Sequence, residues 1–412
     1  MTGNSEAPIA YLTGEYPKAS HTFIQREIAA LRDHGAVVDV SAIRRPGSAD
    51  ITGPEEQAAQ SETFFVLARA KNPIHLLGSH LALLGRNPLR WIRTLTLALK
   101  SGRPGLRGLL WQVFYFLEAG VLARHLQRRK AAHLHNHFGD SSASVAMLTA
   151  KLANIPFSFT LHGPAEFFAP EAWRLDIKAA NAAFVVCITH FCRSQAMIFS
   201  DPEHWDKFKI VHCGVSPERY GFEPATTEGP LQFLFVGRLT PLKGLRVLFA
   251  AFEKVRSERP GITLKVIGDG PDRAWADAEA ARIGGIKMLG FQSQDTVAEE
   301  LSAADALVLP SFAEGLPVVF MEALAAARPV IASRVAGVGE LVVEGETGLL
   351  VSPGDQAGLE QALFKLCDTP QLRKDMGLAG RRRVQNEFNS LTEAQWLLTL
   401  FRSGGRENKL RP

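Results

Sequence analysis

The sequence predicts an α/β protein built from two doubly wound halves. Three observations predict it. Short apolar runs alternate with helical patterns almost throughout, the rhythm of βα units that assemble parallel sheets. The alternation lapses over residues 50–130 and then resumes. A polar stretch from Phe222 to Pro230, with prolines near both ends, separates this first series from a second, more regular one. A chain of 412 residues is long enough for two or three domains, each with its own core.

The first series opens with a strand at 8–13 and an amphipathic helix at 21–34, with Phe23, Ile24, Ile28 and Leu31 facing inward. A strand at 37–42 follows. Residues 50–130 read as long helices punctuated at Pro73, Pro88 and Pro104. Next come a strand at 132–138, a helix at 141–153, and strands at 157–161, 183–188 and 209–213. The second series has strands at 232–236, 263–267, 286–289, 306–309 and 329–332. Helices are expected at 245–257, 274–283, 296–303 and 317–327. The expected domains are 1–222, with the helical insertion at about 50–130, then 231–389, then a helix and polar tail at 390–412. Two such halves predict a ligand cleft between them, at the carboxyl ends of both sheets.

Composition narrows the class. The 46% hydrophobic and 21% charged fractions are those of a globular chain. Residues 1–8 are polar and the next apolar run is short, so no signal peptide is expected; nor is a membrane span. Cys187, Cys192, Cys213 and Cys367 lack metal-ligand spacing and read as reduced thiols of a cytoplasmic protein. Residues 69–130 hold twelve Lys or Arg against one acid, Glu118, a charge of +11 in a chain whose total is +4. Aromatic and aliphatic residues interleave with these cations, which points to helices on an anionic membrane surface, with solvated cations as the plainer alternative. No nucleic-acid-binding motif accompanies the charge.

The chemistry concentrates at strand ends. After the apolar run 232–236, Gly237 permits a sharp turn, Arg238 leaves the sheet edge, and Lys243 precedes Gly244 at a helix start. Two cations on one such loop suit a departing diphosphate. Glu314, Gly315, Leu316 and Pro317 follow the apolar run 306–309, and Glu322 lies farther along the helix that Pro317 opens. Free N–H groups at that helix start suit phosphate oxygens, while the two carboxylates suit the hydroxyls of a sugar and a ribose. Gly268 and Gly270 form a tight turn after 263–267, with a donor-side or a purely structural role. The glycines from Gly337 onward add a further loop. No Asp-x-Asp occurs, so neutralisation falls to the cations and helix starts, and no divalent metal or other cofactor is expected.

In the first half, His133, His135 and His137 alternate, which puts three imidazoles on one face of a strand. Zinc would need a fourth ligand that is not evident, so a polar cluster lining the cleft is the reading, with His137 foremost. His162 ends the run 157–161 before Gly163-Pro164 and is placed to bond a transferred sugar, with Glu166 steadying it or approaching the acceptor. Gly14 occupies the first strand-to-helix turn, and Ser20-His21-Thr22-Phe23 is read as the cap of the next helix.

Taken together, Gly237-Arg238-Leu239-x-x-x-Lys243-Gly244, Gly268-Asp269-Gly270-Pro271 and Glu314-Gly315-x-Pro317-x4-Glu322-Ala323 resemble the retaining glycosyltransferase family 4. Tyr16-Pro17-x-x-Ser20-x-Thr22-Phe23-Ile24-x-x-Glu27 and His135-x-His137-Phe138 look like its colanic acid and exopolysaccharide branch. The resemblance implies the GT-B fold, two Rossmann-like domains facing a central cleft. It also implies metal-independent transfer of a sugar, with retention, from a nucleoside diphosphate to a lipid-linked or polysaccharide acceptor at the cytoplasmic face. By position, Arg238 and Lys243 would hold the diphosphate, Glu322 the ribose and Glu314 the donor sugar, with His162 assisting and a C-terminal helix crossing back to the first domain. Cys213-Gly214-Val215 departs from the Asn-Gly-Val of many relatives. A phosphorylase, a nucleotide-sugar epimerase and a non-catalytic nucleotide-binding scaffold are the alternatives on the same fold.

Overall fold

The computed structural model describes residues 7–18, 21–47, 51, 53–221 and 231–407. The 222–230 linker, Ser20 and the last five residues therefore lie outside the described residues. The chain divides into two compact units: Met1–Val211 with Leu391–Pro412, and His212–Ser390. The first break thus precedes the proline-bracketed stretch by about ten residues, and the first unit is discontinuous in sequence.

The first unit holds strands β1 (Ile9–Glu15), β2 (Val38–Arg44), β3 (Phe64–Phe65), β4 (His133–His137), β5 (Phe157–Leu161), β6 (Phe184–Cys187) and β7 (Phe208–Ile210). They form one parallel sheet in the order β3-β2-β1-β4-β5-β6-β7. The second unit holds β8 (Gln232–Val236), β9 (Thr263–Ile267), β10 (Ile286–Gly290), β11 (Ala306–Leu309), β12 (Val330–Ser333) and β13 (Gly348–Val351). Their order is β10-β9-β8-β11-β12-β13, again all parallel. In both sheets the order reverses beside the first strand, between β1 and β4 and between β8 and β11. At such a reversal the connections leave in opposite directions, and the crevice outside the carboxyl ends is where ligands bind.

Helices cover the sheets through apolar faces at helical spacing. Helix Leu245–Glu258 buries Leu245, Leu248, Phe249, Phe252 and Val255, an i, i+3, i+4, i+7 stripe. Helix Thr22–Asp33 buries Ile24, Ile28 and Leu31, while Phe23 stays half-buried at the sheet edge. Its N-cap is His21, which makes no side-chain capping bond.

The interruption is helical. Helices Pro54–Glu62, Val66–Ala70, Pro73–Arg86, Pro88–Lys100 and Leu106–Arg129 lie between β2 and β4, with β3 as a two-residue edge. Pro73 and Pro88 each open a helix, where a missing N–H costs nothing. Asn72 and Asn87 cap those helices, accepting from Ile74 N at 3.0 Å and from Arg90 N at 2.9 Å. Leu106–Arg129 is long and apolar enough to cross a membrane by length and composition. Its Phe116, Ala119, Leu122, Ala123 and Leu126 are nevertheless part of the first unit's core.

The last helix, Ser390–Ser403, completes that unit. Leu397, Leu400 and Phe401 join Tyr11, Ile28 and Phe184 in one core cluster, and Trp396 Nε1 donates to Ile210 O at 3.0 Å.

Two buried charges hold the turn after β4. Glu166 accepts from the N–H groups of Gly139, His162 (2.5 Å) and Gly163 (3.1 Å). Lys178, 1% exposed, donates to the carbonyls of Gly139 and Asp140, each at 2.7 Å. Burial raises the Glu166 pKa to about 7, against the three N–H donors, and lowers that of Lys178 to about 7. Glu166 is thus a strut beneath the sheet edge, 6% exposed, rather than a group approaching an acceptor.

Histidines add a second constraint. His133 Nε2 and His135 Nδ1 share the Ser158 hydroxyl at 2.6 and 2.8 Å, and His135 Nε2 meets Thr160 Oγ1 at 2.9 Å. Burial holds both imidazoles neutral, His133 down to about 3. His21, lowered to about 4, and His80 and His162, also lowered chiefly by burial, behave alike.

Glu166→Gln leaves at least one buried N–H facing a donor and is expected to cost about 1–3 kcal/mol in urea unfolding. On acidification, these five histidines take up protons in the unfolded chain below about pH 6.5, whereas burial lowers all five in the fold, His21 to about 4 and His133 to about 3. Glu166 and Glu118, both raised to about 7, act oppositely. The histidines outnumber them, so the urea midpoint should fall between pH 7 and pH 5. A higher midpoint at pH 5 would contradict this balance.

Candidate active site

The second unit's order reversal carries the motif residues. Strand β8 ends at Val236, and Gly237, Arg238 and the turn Pro241–Lys243 follow. Gly244 then takes φ +68°, and a side chain there would collide with the Pro310 carbonyl. That close approach sets the β8 loop against the one leaving β11, and Phe312 N donates to Leu242 O at 2.8 Å. Across this seam Lys243 Nζ meets Glu314 Oε1 at 2.6 Å. Both side chains are shielded, 21% and 10% exposed. Residues 71 positions apart in sequence are therefore one ion pair.

Arg238 is exposed on the same loop. Gly268, at φ +136°, lies so close to the Gly237 carbonyl that a Cβ would overlap it, and Gly270 abuts the Leu239 carbonyl in the same way. Leu239 N donates to Asp269 O at 2.9 Å and Asp272 N to Leu239 O at 3.0 Å. The Gly268-Asp269-Gly270 turn thus has a structural role: it buttresses the backbone that bears Arg238. Gly315 is half-buried, and Leu316 packs its side chain inward at 6% exposure. Pro317 is the N-cap, with ψ 124°, and the helix begins one residue later at Val318. Glu322 is the fifth residue of that helix and is half-buried. The loop from Val335 folds as a 3₁₀ turn, Ala336–Glu340.

In the first unit, β1 and β4 end at a cavity of about 320 Å³ lined by Gly14, Lys18, His21, Glu118, Phe138 and Asp140, among others. A Cβ at Gly14 would meet nothing within 4 Å, so this glycine opens onto free space. Phe138 holds φ +73°, an uncommon conformation for a bulky residue and one that concentrates at functional edges. His162 sits beside it, ring centroids 4.7 Å from both Phe23 and Phe138. His162 Nε2 is 2.9 Å from His137 Nδ1, and His137 Nε2 is 3.2 Å from Glu27 Oε1, which accepts from the Tyr11 hydroxyl at 2.7 Å. His137 is fully buried, so it orients His162 from below instead of lining an open surface. Burial keeps His162 neutral.

Among the described residues, Glu27, His135 and His137 bring ligand atoms within 4.8 Å of one another. Ser158, Thr160, His162 and Tyr11 already engage those groups, and such a network orients protonated partners. Lys178 carries no local signal in the sequence, because the carbonyls it serves lie 38 and 39 positions away.

Residues 218–383 match the family model described as Glycosyl transferases group 1. A glycogen synthase of Mycobacterium tuberculosis is 33% identical over 191 residues, covering 45% of this chain and 46% of the relative. A D-inositol 3-phosphate glycosyltransferase of Streptomyces scabiei is 30% identical over 288 residues, covering 61% of this chain and 64% of the relative. The chain thus spans about half to two thirds of the length of these curated relatives. The crystal structure of Anabaena Alr3699/HepE in complex with UDP superposes with a TM-score of 0.70, covering 96% of this chain and 100% of the other at 18% identity. That likeness concerns the fold, two parallel-sheet domains of the GT-B class. The second unit accordingly carries a segment of the group 1 glycosyltransferase family, at residues 218–383, within a chain of GT-B fold.

Proposed function

We propose that this chain is a retaining, metal-independent glycosyltransferase of the family 4 type. It moves a sugar from a nucleoside diphosphate to a lipid-linked or polysaccharide acceptor in exopolysaccharide or cell-envelope glycan synthesis. The observation that carries the reading is the Lys243–Glu314 pair at the β8/β11 reversal, with Arg238 exposed on the same loop.

The pair leaves chemistry to spare. An ammonium has three donors, and Glu314 takes one, so two remain for phosphate oxygens. Arg238 offers a planar fork for two more. These fixed cations stabilise the charge that develops as the C1–oxygen bond breaks and the nucleoside diphosphate leaves with the electron pair. The acceptor oxygen bonds to C1 from the same face, and its proton passes to a leaving phosphate oxygen. Glu314 positions a donor-sugar hydroxyl, Glu322 the ribose hydroxyls, and neutral His162 a further hydroxyl of the transferred sugar. The two cations supply the neutralisation that a metal ion supplies elsewhere. A uridine nucleotide is the first donor to try, because the Anabaena neighbour is a UDP complex.

Peripheral contact with the inner membrane face is part of the same proposal. Ile74, Leu77 and Leu81 form one exposed apolar stripe on helix Pro73–Arg86, at 80%, 62% and 65%. Among the described residues, Arg129 with Asp39 is the sole ion pair made by the cations of 69–130. Unpaired cations beside apolar side chains suit an anionic lipid surface.

Lys243→Ala would strand a shielded carboxylate and lower stability, so Arg238→Ala is the cleaner probe. It should cut transfer by about 10²-fold or more with an unchanged melting point, measured as nucleotide release from donor sugars. Near-normal turnover would remove the assigned role. In a thermal-shift screen of UDP, GDP, ADP and their sugars, one base should stabilise the protein by about 2.7 kcal/mol at a hundredfold excess over Kd. No shift with any nucleotide would refute the donor site, and conversion of a nucleotide sugar without acceptor would point to an epimerase.

A further inference from the structure

The helical insertion shapes a cavity that the donor chemistry does not use. It measures about 460 Å³ and is lined by Arg103, Arg107, Trp111, Gln112, Tyr115 and Trp173, among others, with no acid in its wall. That volume lies within the range of small-molecule sites. Arg103 is held in place: its Nε donates to Ala172 O at 3.2 Å and its guanidinium lies 5.5 Å over the Trp173 ring. Arg174 Nη1 fastens the same loop by donating to Lys100 O at 3.2 Å. Arg107 makes no ion pair among the described residues.

The cavity adjoins a second one. Trp111, Tyr115 and Ser141 also line the 320 Å³ cavity at the ends of β1 and β4. Arg107, Trp111, Tyr115 and Glu118 succeed one another at i, i+4, i+8 and i+11, so one stripe of helix Leu106–Arg129 walls both cavities. The neighbouring stripe, Leu106, Leu110 and Phe114, is apolar and 74%, 51% and 54% exposed. Cations, aromatic rings and an apolar ridge therefore stand side by side on one helix. A merely solvated basic face accounts for exposed arginines but not for their convergence with two tryptophans on an acid-free hollow.

We propose that this hollow receives the phosphate-bearing end of an amphiphilic acceptor, an apolar chain joined through a phosphate or diphosphate to a sugar. The proposal rests on the lipid-linked reading of the acceptor given above. Arg103 and Arg107 take the phosphate oxygens, Leu106, Leu110 and Phe114 lie along the chain, and Trp111 with Tyr115 passes the sugar toward Gly14 and His162.

The test uses the full chain and farnesyl diphosphate as a soluble probe, titrated by calorimetry with farnesol and inorganic pyrophosphate alongside. Farnesyl diphosphate should bind at least about tenfold more tightly than either fragment. The Arg103→Ala/Arg107→Ala double variant should lose at least that factor, while Arg238→Ala should bind the probe as the native chain does. Both arginines are exposed, so an unchanged melting curve is expected to certify the fold. Unchanged affinity in the double variant, or equal binding of farnesol, would overturn the site. So would loss of binding in Arg238→Ala, which would place the probe at the nucleotide loop, or displacement by phosphatidylglycerol vesicles, which would make bulk lipid headgroups the occupant. A nucleotide-induced thermal shift that survives in the double variant separates failure of this site from failure of the donor reading.

Discussion

Both units obey one constraint, the parallel ladder that reverses order beside its first strand. Parallel strands send every carboxyl end to the same edge, and the reversal opens a gap there because adjacent connections diverge. Arg238, Lys243 and Glu314 follow β8 and β11; Gly14, Phe138 and Gly139 follow β1 and β4. Residues scattered through the sequence are thereby delivered to two edges. The glycines at 244 and 268 act within this frame, letting neighbouring loops approach to distances that a side chain would forbid.

The two edges are built by different means. In the second unit the loops carry charge toward solvent and are stiffened from behind by backbone contacts. In the first, charge is spent inside the protein: Glu166 and Lys178 fix the turn after β4, and a chain from Tyr11 through Glu27 and His137 sets His162. Neutral imidazoles under a rigid edge give directional hydrogen bonding without a net field. The insertion helices then add Arg103 and Arg107 in the adjoining cavity.

Much of this was legible in the sequence. Strands 157–161, 232–236, 263–267 and 306–309 coincide with β5, β8, β9 and β11, because a strand buried on both faces reads as a compact apolar run. Strand β3, two residues long, left no periodicity to detect, and β13 follows glycine and threonine instead of a longer apolar run. The loop cations and carboxylates were visible through their glycines and prolines. Depth was not: His137 alternates correctly on its strand, yet neighbours from Thr22–Asp33 and β5 bury it. Nor could sequence show that Glu166 points inward or that Lys178 exists to satisfy two carbonyls, since both depend on a tertiary turn.

The return of the last helix to the first unit has a consequence for synthesis. Ala394, Leu397 and Phe401 belong to the same cluster as Tyr11 and Ile24, so that core stays open until this helix has been synthesised. The middle unit, His212–Ser390, is contiguous and leaves the ribosome complete while its predecessor still lacks one wall. Maturation order is therefore inverted relative to the usual amino-terminal-first sequence, and the exposed face of the nascent first unit becomes the natural client of a chaperone.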